Sequence, residues 1–223
     1  MSREKPVVAI TVGDYNGIGP EVVLKSLRHR AVRGCCQPVL VGPAEVYRFY
    51  ARKLRLPLTF EHSDTATTRS TRSVRVIEPP HDEMRLEISP GTLSSDAGRI
   101  AAEAISFAVQ MIQQGEPHAL VTAPVSKQAL HLAQVDFPGQ TEMLQRLSNS
   151  PSVAMMLVSP VMRVALATIH VPLRKVSEML SRQLLRDRIL TVYDALRTDW
   201  KIRSPRLAVL GLNPHAGEGG DIG

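Results

Sequence analysis

The chain has 223 residues, of which 43% are hydrophobic and 22% charged, and its formal net charge is +6 at pH 7. These values are ordinary for a globular chain with a buried core, and no repeat or low-complexity tract occurs. Aromatic residues are only 4% and the basic residues are scattered, so the positive charge does not indicate nucleic-acid binding. A modest positive field suits an anionic small substrate equally well.

The cysteines and the apolar runs predict where the protein is located. Cys35 and Cys36 are adjacent, which is poor geometry for a structural disulfide, gives no metal-ligand spacing and fits a reducing compartment. The first apolar run is too short for a signal peptide, and no stretch approaches the ~20 apolar residues of a membrane span. We therefore expect a cytoplasmic protein without a membrane or nucleic-acid partner.

A β-branched run, Val7 to Val12, predicts a strand buried on both faces, followed by a glycine loop over residues 13–21 and a helix from Pro20 to His29. The glycine spacing is neither the dinucleotide-binding pattern nor a Walker motif. The loop is either a tight turn without a ligand or one whose amides face an active-site cleft. Asp14 and Asn16 are possible site residues to which the sequence assigns no role.

The next elements alternate in the manner of a parallel sheet. They are a strand at Pro38–Gly42, a helix at Ala44–Leu54, an exposed loop over 64–73, a strand at Val74–Ile77, and a long helix at Ser95–Gln114 capped by Ser94, Ser95 or Asp96. A short buried strand is then predicted at Ala119–Thr122, with a helix to Leu132. A turn leads into another helix that has Gln140 or Thr141 at its start, where exposed amides and a hydroxyl make a plausible anion site.

Two apolar runs, Val153–Val158 and Arg163–Ile169, predict a hairpin that adds antiparallel strands to a parallel plan. A helical stretch at Leu173–Asp199, broken near Ser181, follows. Leu207–Leu210 predicts a last strand, which ends in a segment rich in glycine, asparagine and proline.

His170 and His215 share a context, because each lies where a predicted strand gives way to a turn that contains proline. Two imidazoles on neighbouring strand ends could hold one divalent ion such as Zn, Co, Fe or Ni, although catalytic zinc sites normally have three protein ligands. The alternative is that His215 is a turn histidine hydrogen-bonded to nearby backbone. The other five histidines are interpreted as ordinary residues: His29, His62, His81, His118 and His131. No nucleophile elbow occurs.

Five blocks in order resemble the 4-hydroxythreonine-4-phosphate dehydrogenase family of vitamin B6 synthesis. They are residues 13–21, 121–124 with Lys127, 138–142, 164–173 and 211–220. The resemblance implies an α/β fold with three α/β/α layers, isocitrate/isopropylmalate dehydrogenase-like, with a mixed, mostly parallel sheet and two interleaved subdomains. It also implies NAD as hydride acceptor, a divalent cation (Zn, Mg or Co) held by three histidines, and a homodimer with its active site at the interface.

By the same resemblance, His170 and His215 are two of the three metal ligands, and Gln140 and Thr141 bind the substrate, with Lys127 a weaker candidate. Gln140 departs from the family, which usually has histidine there, so it can donate a hydrogen bond but carries no charge. The third metal histidine and most of the NAD region would lie beyond Gly223. The chain is thus expected to match the first two thirds of the enzyme and to lack its C-terminal part.

The implied reaction is NAD-dependent oxidation of 4-phosphooxy-L-threonine to a 2-amino-3-oxo acid. That acid loses carbon dioxide to give 3-amino-2-oxopropyl phosphate, in pyridoxal phosphate biosynthesis. Two alternatives stay open: a related dehydrogenase for a four-carbon sugar-acid phosphate or a dihydrodiol, and an inactive fragment or metal- and anion-binding module.

Overall fold

A computed structural model of the chain describes residues 5–66, 73–80, 86–137 and 139–221. Part of the predicted loop over 64–73, His81 and Pro138 of the third block lie outside these ranges. The chain divides into two units, Met1–Asn149 and Ser150–Gly223, which follow one another along the sequence. The interleaving of two subdomains stays a prediction.

The first unit is built on a five-stranded parallel sheet with the order β3-β4-β2-β1-β5. The strands are β1 Val7–Thr11, β2 Gln37–Val41, β3 Phe60–His62, β4 Val74–Ile77 and β5 Ala119–Val121. The alternating sequence pattern predicted this parallel sheet, but β3 was missed. The prediction that β5 is buried is wrong: it is an edge strand paired with β1, and Val121 is 49% exposed.

Helices cover both faces of this sheet. They are α1 Gly19–Ser26, α2 Arg30–Cys35, α3 Ala44–Lys53, α4 Ser95–Gln113, α5 Lys127–Leu132 and α6 Gln140–Leu147. The connections through α1 and α3 progress toward one edge of the sheet, whereas the connection through α4 returns to the other. Right-handed crossovers therefore place α4 on the opposite face from α1 and α3, which confirms the layered α/β fold. Within the described ranges, no helix has both the length and the apolar character needed to cross a bilayer.

Helix α4 organises one layer of the core. Its start is capped by Ser94, whose Oγ accepts a hydrogen bond from the Ala97 amide at 3.4 Å. Its apolar face, which includes Ile100, Ala104 and Ile105, is buried. A Cβ at Gly98 would lie 2.0 Å from the Ala129 carbonyl oxygen, so α4 and α5 meet backbone to backbone where only glycine fits.

The second unit contains the predicted hairpin, with β6 Met156–Val158 antiparallel to β7 Arg163–Ala165. A 3-10 turn at Leu173–Lys175 and α7 Val176–Met179 precede α8 Arg182–Thr198. The predicted break near Ser181 is confirmed, because Ser181 Oγ caps α8 by accepting from the Leu184 amide at 3.1 Å.

The predicted strand at Leu207–Leu210 is wrong. These residues are described and have no regular secondary structure, and Leu210 is 88% exposed. An apolar run becomes a strand only where another strand completes its hydrogen-bond ladder, and none of the described strands pairs with this one. The composition of the segment fits a strand, but the required partner is missing from the described residues.

Candidate functional site

The carboxyl ends of β1 and β5 form the natural ligand-binding edge of the first unit. These strands are neighbours, but the helix after β1 lies on one face, whereas the helix after β5 packs against α4 on the other. Open parallel sheets bind ligands where successive helices change face in this way. The loop after β1 and the segment 122–126 after β5 meet at this point.

The glycine loop is packed tightly against the end of β5. The Asp14 amide donates to the Pro124 carbonyl at 3.0 Å, and the Ala123 amide donates to Thr11 Oγ1 at 3.3 Å. Gly13 has φ +68°, and a Cβ there would lie 2.4 Å from the Pro124 oxygen. Glycine at position 13 is therefore explained by a close backbone contact within the protein.

Asp14 and Asn16, which had no assigned role, hold the loop and a distant turn in place. Both are buried. Asp14 Oδ1 accepts from the Asn16 amide at 2.9 Å. Asn16 Oδ1 accepts from the Ser89 amide at 2.8 Å, Asn16 Nδ2 donates to Thr92 Oγ1 at 3.4 Å, and the Gly91 amide donates to the Asn16 carbonyl at 2.7 Å. Asn16 thus joins the turn at 89–92 to the end of β1.

Tyrosines behind the loop act as hydrogen-bond donors. The Tyr50 hydroxyl donates to the Tyr15 carbonyl at 2.9 Å, and the buried Tyr47 hydroxyl donates to the Val41 carbonyl at 3.1 Å. Burial, followed by the charge of Asp14, raises the pKa of Tyr50. Burial also raises the pKa of Tyr47. These hydroxyls therefore stay protonated near neutral pH and do not supply a general base.

Gln140 connects the start of α6 to the end of β5. Its Nε2 donates to the Ala123 carbonyl at 3.0 Å, and its Oε1 accepts from Thr122 Oγ1 at 3.3 Å. Thr141 follows as the second residue of α6 and is half-buried. The predicted helix start is confirmed, whereas the substrate-binding role of Gln140 and Thr141 stays a prediction. Thr122 was not singled out beforehand, although it lies within the second family block.

Two more side chains lie at the starts of the helices near this edge. Lys127 is the exposed first residue of α5, and the preceding Ser126 caps the helix by accepting from the Ala129 amide at 3.2 Å. A carboxylate oxygen of Glu142 lies 3.0 Å from the Cβ position of Gly139, the N-cap of α6. The edge thus combines a lysine and a helix N-terminus with a carboxylate.

The two candidate metal ligands lie in the second unit and are exposed. His170 has φ +55°, a left-handed conformation that is uncommon for a residue with a side chain. His215 lies in a turn, where its amide donates to Asn213 Oδ1 at 3.0 Å. Its Nδ1 is 2.9 Å from Glu218 Oε1. A carboxylate on Nδ1 is the usual way to orient an imidazole whose Nε2 binds a metal.

The imidazoles of His170 and His215 are a suitable type of ligand for a divalent ion, but there are only two of them. Imidazole nitrogen is a good ligand for Zn and its neighbours. Catalytic zinc sites normally take three protein ligands, and the described residues contain no group of three or more His, Cys, Asp or Glu placed to hold a metal. His170 and His215 therefore make at most part of a metal site in this chain.

A profile of the family described as pyridoxal phosphate biosynthetic protein PdxA matches residues 34–223. The chain is 33% identical to the 4-hydroxythreonine-4-phosphate dehydrogenase of Bacteroides thetaiotaomicron, covering 100% of this chain and 61% of that protein. It is 36% identical to the D-threonate 4-phosphate dehydrogenase of Cupriavidus necator, covering 100% of this chain and 67% of the relative. The chain thus spans about two thirds of these relatives' length.

The fold has a close counterpart among solved structures. The crystal structure of a 4-hydroxythreonine-4-phosphate dehydrogenase from Burkholderia phymatum superposes with a TM-score of 0.88 at 33% identity. The superposition covers 99% of this chain and 67% of that chain. The likeness extends over both units.

Proposed function

Because the chain belongs to the family of pyridoxal phosphate biosynthetic protein PdxA, we propose that it takes part in the NAD-dependent oxidation of 4-phosphooxy-L-threonine. The product is a 2-amino-3-oxo acid that decarboxylates to 3-amino-2-oxopropyl phosphate. The family match over residues 34–223 carries this proposal. The name of the relative from Bacteroides thetaiotaomicron supports the substrate.

In this proposal the start of α6 binds the substrate phosphate. The first-turn amides of a helix have no partners within the helix and carry partial positive charge, so they favour an anion. The Thr141 hydroxyl adds a donor. Gln140 uses one amide hydrogen on the Ala123 carbonyl and keeps the other for the substrate. Lys127, exposed at the start of α5, supplies a positive charge.

His170 and His215 are proposed to contribute two imidazoles to a divalent ion, either Zn, Mg or Co, that needs at least one further ligand. Bound at the site, the ion would supply Lewis-acid polarisation of the substrate hydroxyl, and NAD would accept the hydride. The Glu218 carboxylate contacts Nδ1 of His215 and so orients the imidazole ring.

We also propose a cytoplasmic homodimer with its active site at the subunit interface. Two free cysteines support a reducing compartment. Exposed apolar side chains of the second unit support a partner surface, with Leu157 58%, Val161 94% and Leu173 89% exposed.

D-threonate 4-phosphate is the second candidate substrate. The relative from Cupriavidus necator carries that name at 36% identity. The two substrates share the phosphate and differ at carbon 2, which bears an amine in one and a hydroxyl in the other. Neutral Gln140, where the family usually has histidine, supports a changed preference at the anchoring position.

The test of the reaction mixes the purified 223-residue chain with NAD, a divalent ion and each substrate, and follows NADH absorbance. Faster NADH formation from 4-phosphooxy-L-threonine supports the first candidate, and turnover of D-threonate 4-phosphate alone replaces it with the second. If neither substrate yields NADH, this chain does not catalyse the reaction by itself, and the proposal fails for it.

The metal assignment has a separate test, which is metal content by mass spectrometry. We expect His170→Ala and His215→Ala each to lose the bound divalent ion, with His131→Ala, an exposed histidine of α5, as matched control. Unchanged metal content in the first two variants would remove both histidines from the site.

A further inference from the structure

The adjacent cysteines are brought together in space at the end of α2. Cys35 is the last residue of the helix, and Cys36 follows in an extended conformation with φ −145° and ψ 172°. Both Sγ atoms donate to the same acceptor, the Val32 carbonyl oxygen, each at 3.3 Å. Neighbouring side chains usually diverge, but here both sulfurs lie on one side of the backbone.

These two thiols are poorly placed for a bond to each other. Adjacent Cα atoms across a trans peptide are about 3.8 Å apart, whereas disulfides usually need at least about 4.4 Å. Both cysteines are free. The pair is therefore a stable dithiol whose sulfurs can both reach one ion.

The surroundings of the pair suit such an ion. Cys35 is exposed and Cys36 half-buried, so solutes can reach the sulfurs. Lys5 is held alongside, because its Nζ donates to the Arg33 carbonyl at 2.6 Å and its own carbonyl accepts from Gln37 Nε2 at 3.4 Å. Burial, followed by the Cys35 thiol, raises the pKa of the Cys36 thiol, and Lys5 acts in the opposite direction. A cation here favours the negative charge of a bis-thiolate complex.

We propose that Cys35 and Cys36 form a two-thiol site for a soft, thiophilic ion, the class that includes Cu(I) and trivalent arsenic. Thiolate sulfur is the side-chain donor that such soft ions prefer. The pair lies at the amino end of β2, so the five residues of that strand, about 16 Å, separate it from the carboxyl edge that carries Gln140. The site is thus independent of the proposed dehydrogenase reaction.

Phenylarsine oxide is the first probe. It condenses with two thiols: two S–H bonds and the As–O bond break, two As–S bonds form, one water leaves, and arsenic stays trivalent. We expect the reduced chain to take up one equivalent, keep it through a wash with excess 2-mercaptoethanol, and release it to 2,3-dimercaptopropanol, as followed by intact mass. Release by the monothiol would overturn the proposal without any variant.

Variants that each lack one cysteine then distinguish a site made by both thiols from binding by a single reactive cysteine. Cys35→Ser and Cys36→Ser should each lower retention through the monothiol wash by about 100-fold or more, because a second tethered ligand adds at least that factor. Both changes lie near the surface, and circular dichroism checks that the fold is kept. Equal retention in either variant would show that one sulfur suffices and would overturn the two-thiol site.

Cu(I) is the second probe, measured by competition with bicinchoninate. We expect one Cu(I) per chain and weakening on the order of 100-fold in each cysteine variant. His29→Ala, at the N-cap of α2, is the matched control. Unchanged binding in that control assigns the ion to the sulfurs, whereas its loss would assign the ion to an imidazole-containing site and overturn the proposal.

Discussion

The carboxyl edge of the first unit and the histidine turns of the second unit use their polar residues in opposite ways. Asp14 and Asn16 are buried, and their side chains bond to protein backbone. His170 and His215 are exposed. Buried polar groups are paired within the protein and hold the fold, whereas exposed ones remain available for a ligand. Substitutions at the edge should therefore reduce stability, and those at the histidines should spare it.

The largest expected effect is at Gly98, on which the packing behind the edge depends. Gly98→Val would drive a side chain into the Ala129 carbonyl, 2.0 Å from the Cβ position. We expect a loss of about 3 kcal/mol or more in the free energy of unfolding, measured with urea, because backbone cannot easily move away. The control is Gly34→Ala in α2, where nothing lies within 4 Å and the change should be neutral or stabilising by at most about 1 kcal/mol. Similar values for both variants would contradict the close helix contact.

Asn16→Ala is next. It removes the acceptor of the Ser89 amide and the donor to Thr92 and leaves the partly buried Ser89 amide unpaired, so we expect a cost of about 2 kcal/mol. Hydrogen exchange should show faster exchange of the Ser89 amide. Thr92→Val removes the 3.4 Å acceptor of Asn16 and the exposed bond from Thr92 Oγ1 to the Ser89 carbonyl at 2.6 Å. It leaves the Ser89 amide paired with Asn16 Oδ1, so it should cost less than Asn16→Ala and should not speed exchange of that amide. Unchanged protection of Ser89 would mean that Asn16 does not hold the turn.

Gln140→Leu should have a smaller effect of about 1 kcal/mol, because the hydrogen bonds to Thr122 and Ala123 lie in a half-buried environment. A double-mutant cycle with Thr122→Val isolates the side-chain pair, and we expect a coupling energy of about 0.5 kcal/mol or more. Additive effects of the two substitutions would show that Gln140 and Thr122 do not stabilise each other.

The smallest effects are expected at the histidines. His170→Ala and His215→Ala should each change the free energy of unfolding by no more than about 0.5 kcal/mol, since both side chains are exposed. His170→Gly should be equal or more stable by up to about 1 kcal/mol, because glycine adopts the observed φ of +55° without strain. If His170→Ala lost more than about 1 kcal/mol, His170 would stabilise the fold as the buried Asp14 and Asn16 do. That result would contradict the difference between the edge of the first unit and the histidine turns of the second.

Local patterns were sufficient for most elements. The β-branched run at Val7 predicted β1, the apolar spacing after Ser94 predicted α4, and the turn before Gln140 predicted α6. The hairpin of β6 and β7 followed from two apolar runs close in sequence. The short β3 was missed because three residues, Phe60–His62, carry too little pattern to separate a strand from a loop.

What the sequence by itself determined is most of the elements, the family blocks and the residue types at the candidate site, because these depend on neighbours within a few positions. Only the tertiary structure decided how those residues are used. Asn16 meets Ser89, which is 73 positions away, and Gln140 meets Ala123, from which it is separated by α5. The same holds for Leu207–Leu210, whose composition suits a strand but which has no partner among the described strands. Hydrogen bonds and burial join residues that are distant in sequence, so local patterns cannot determine them.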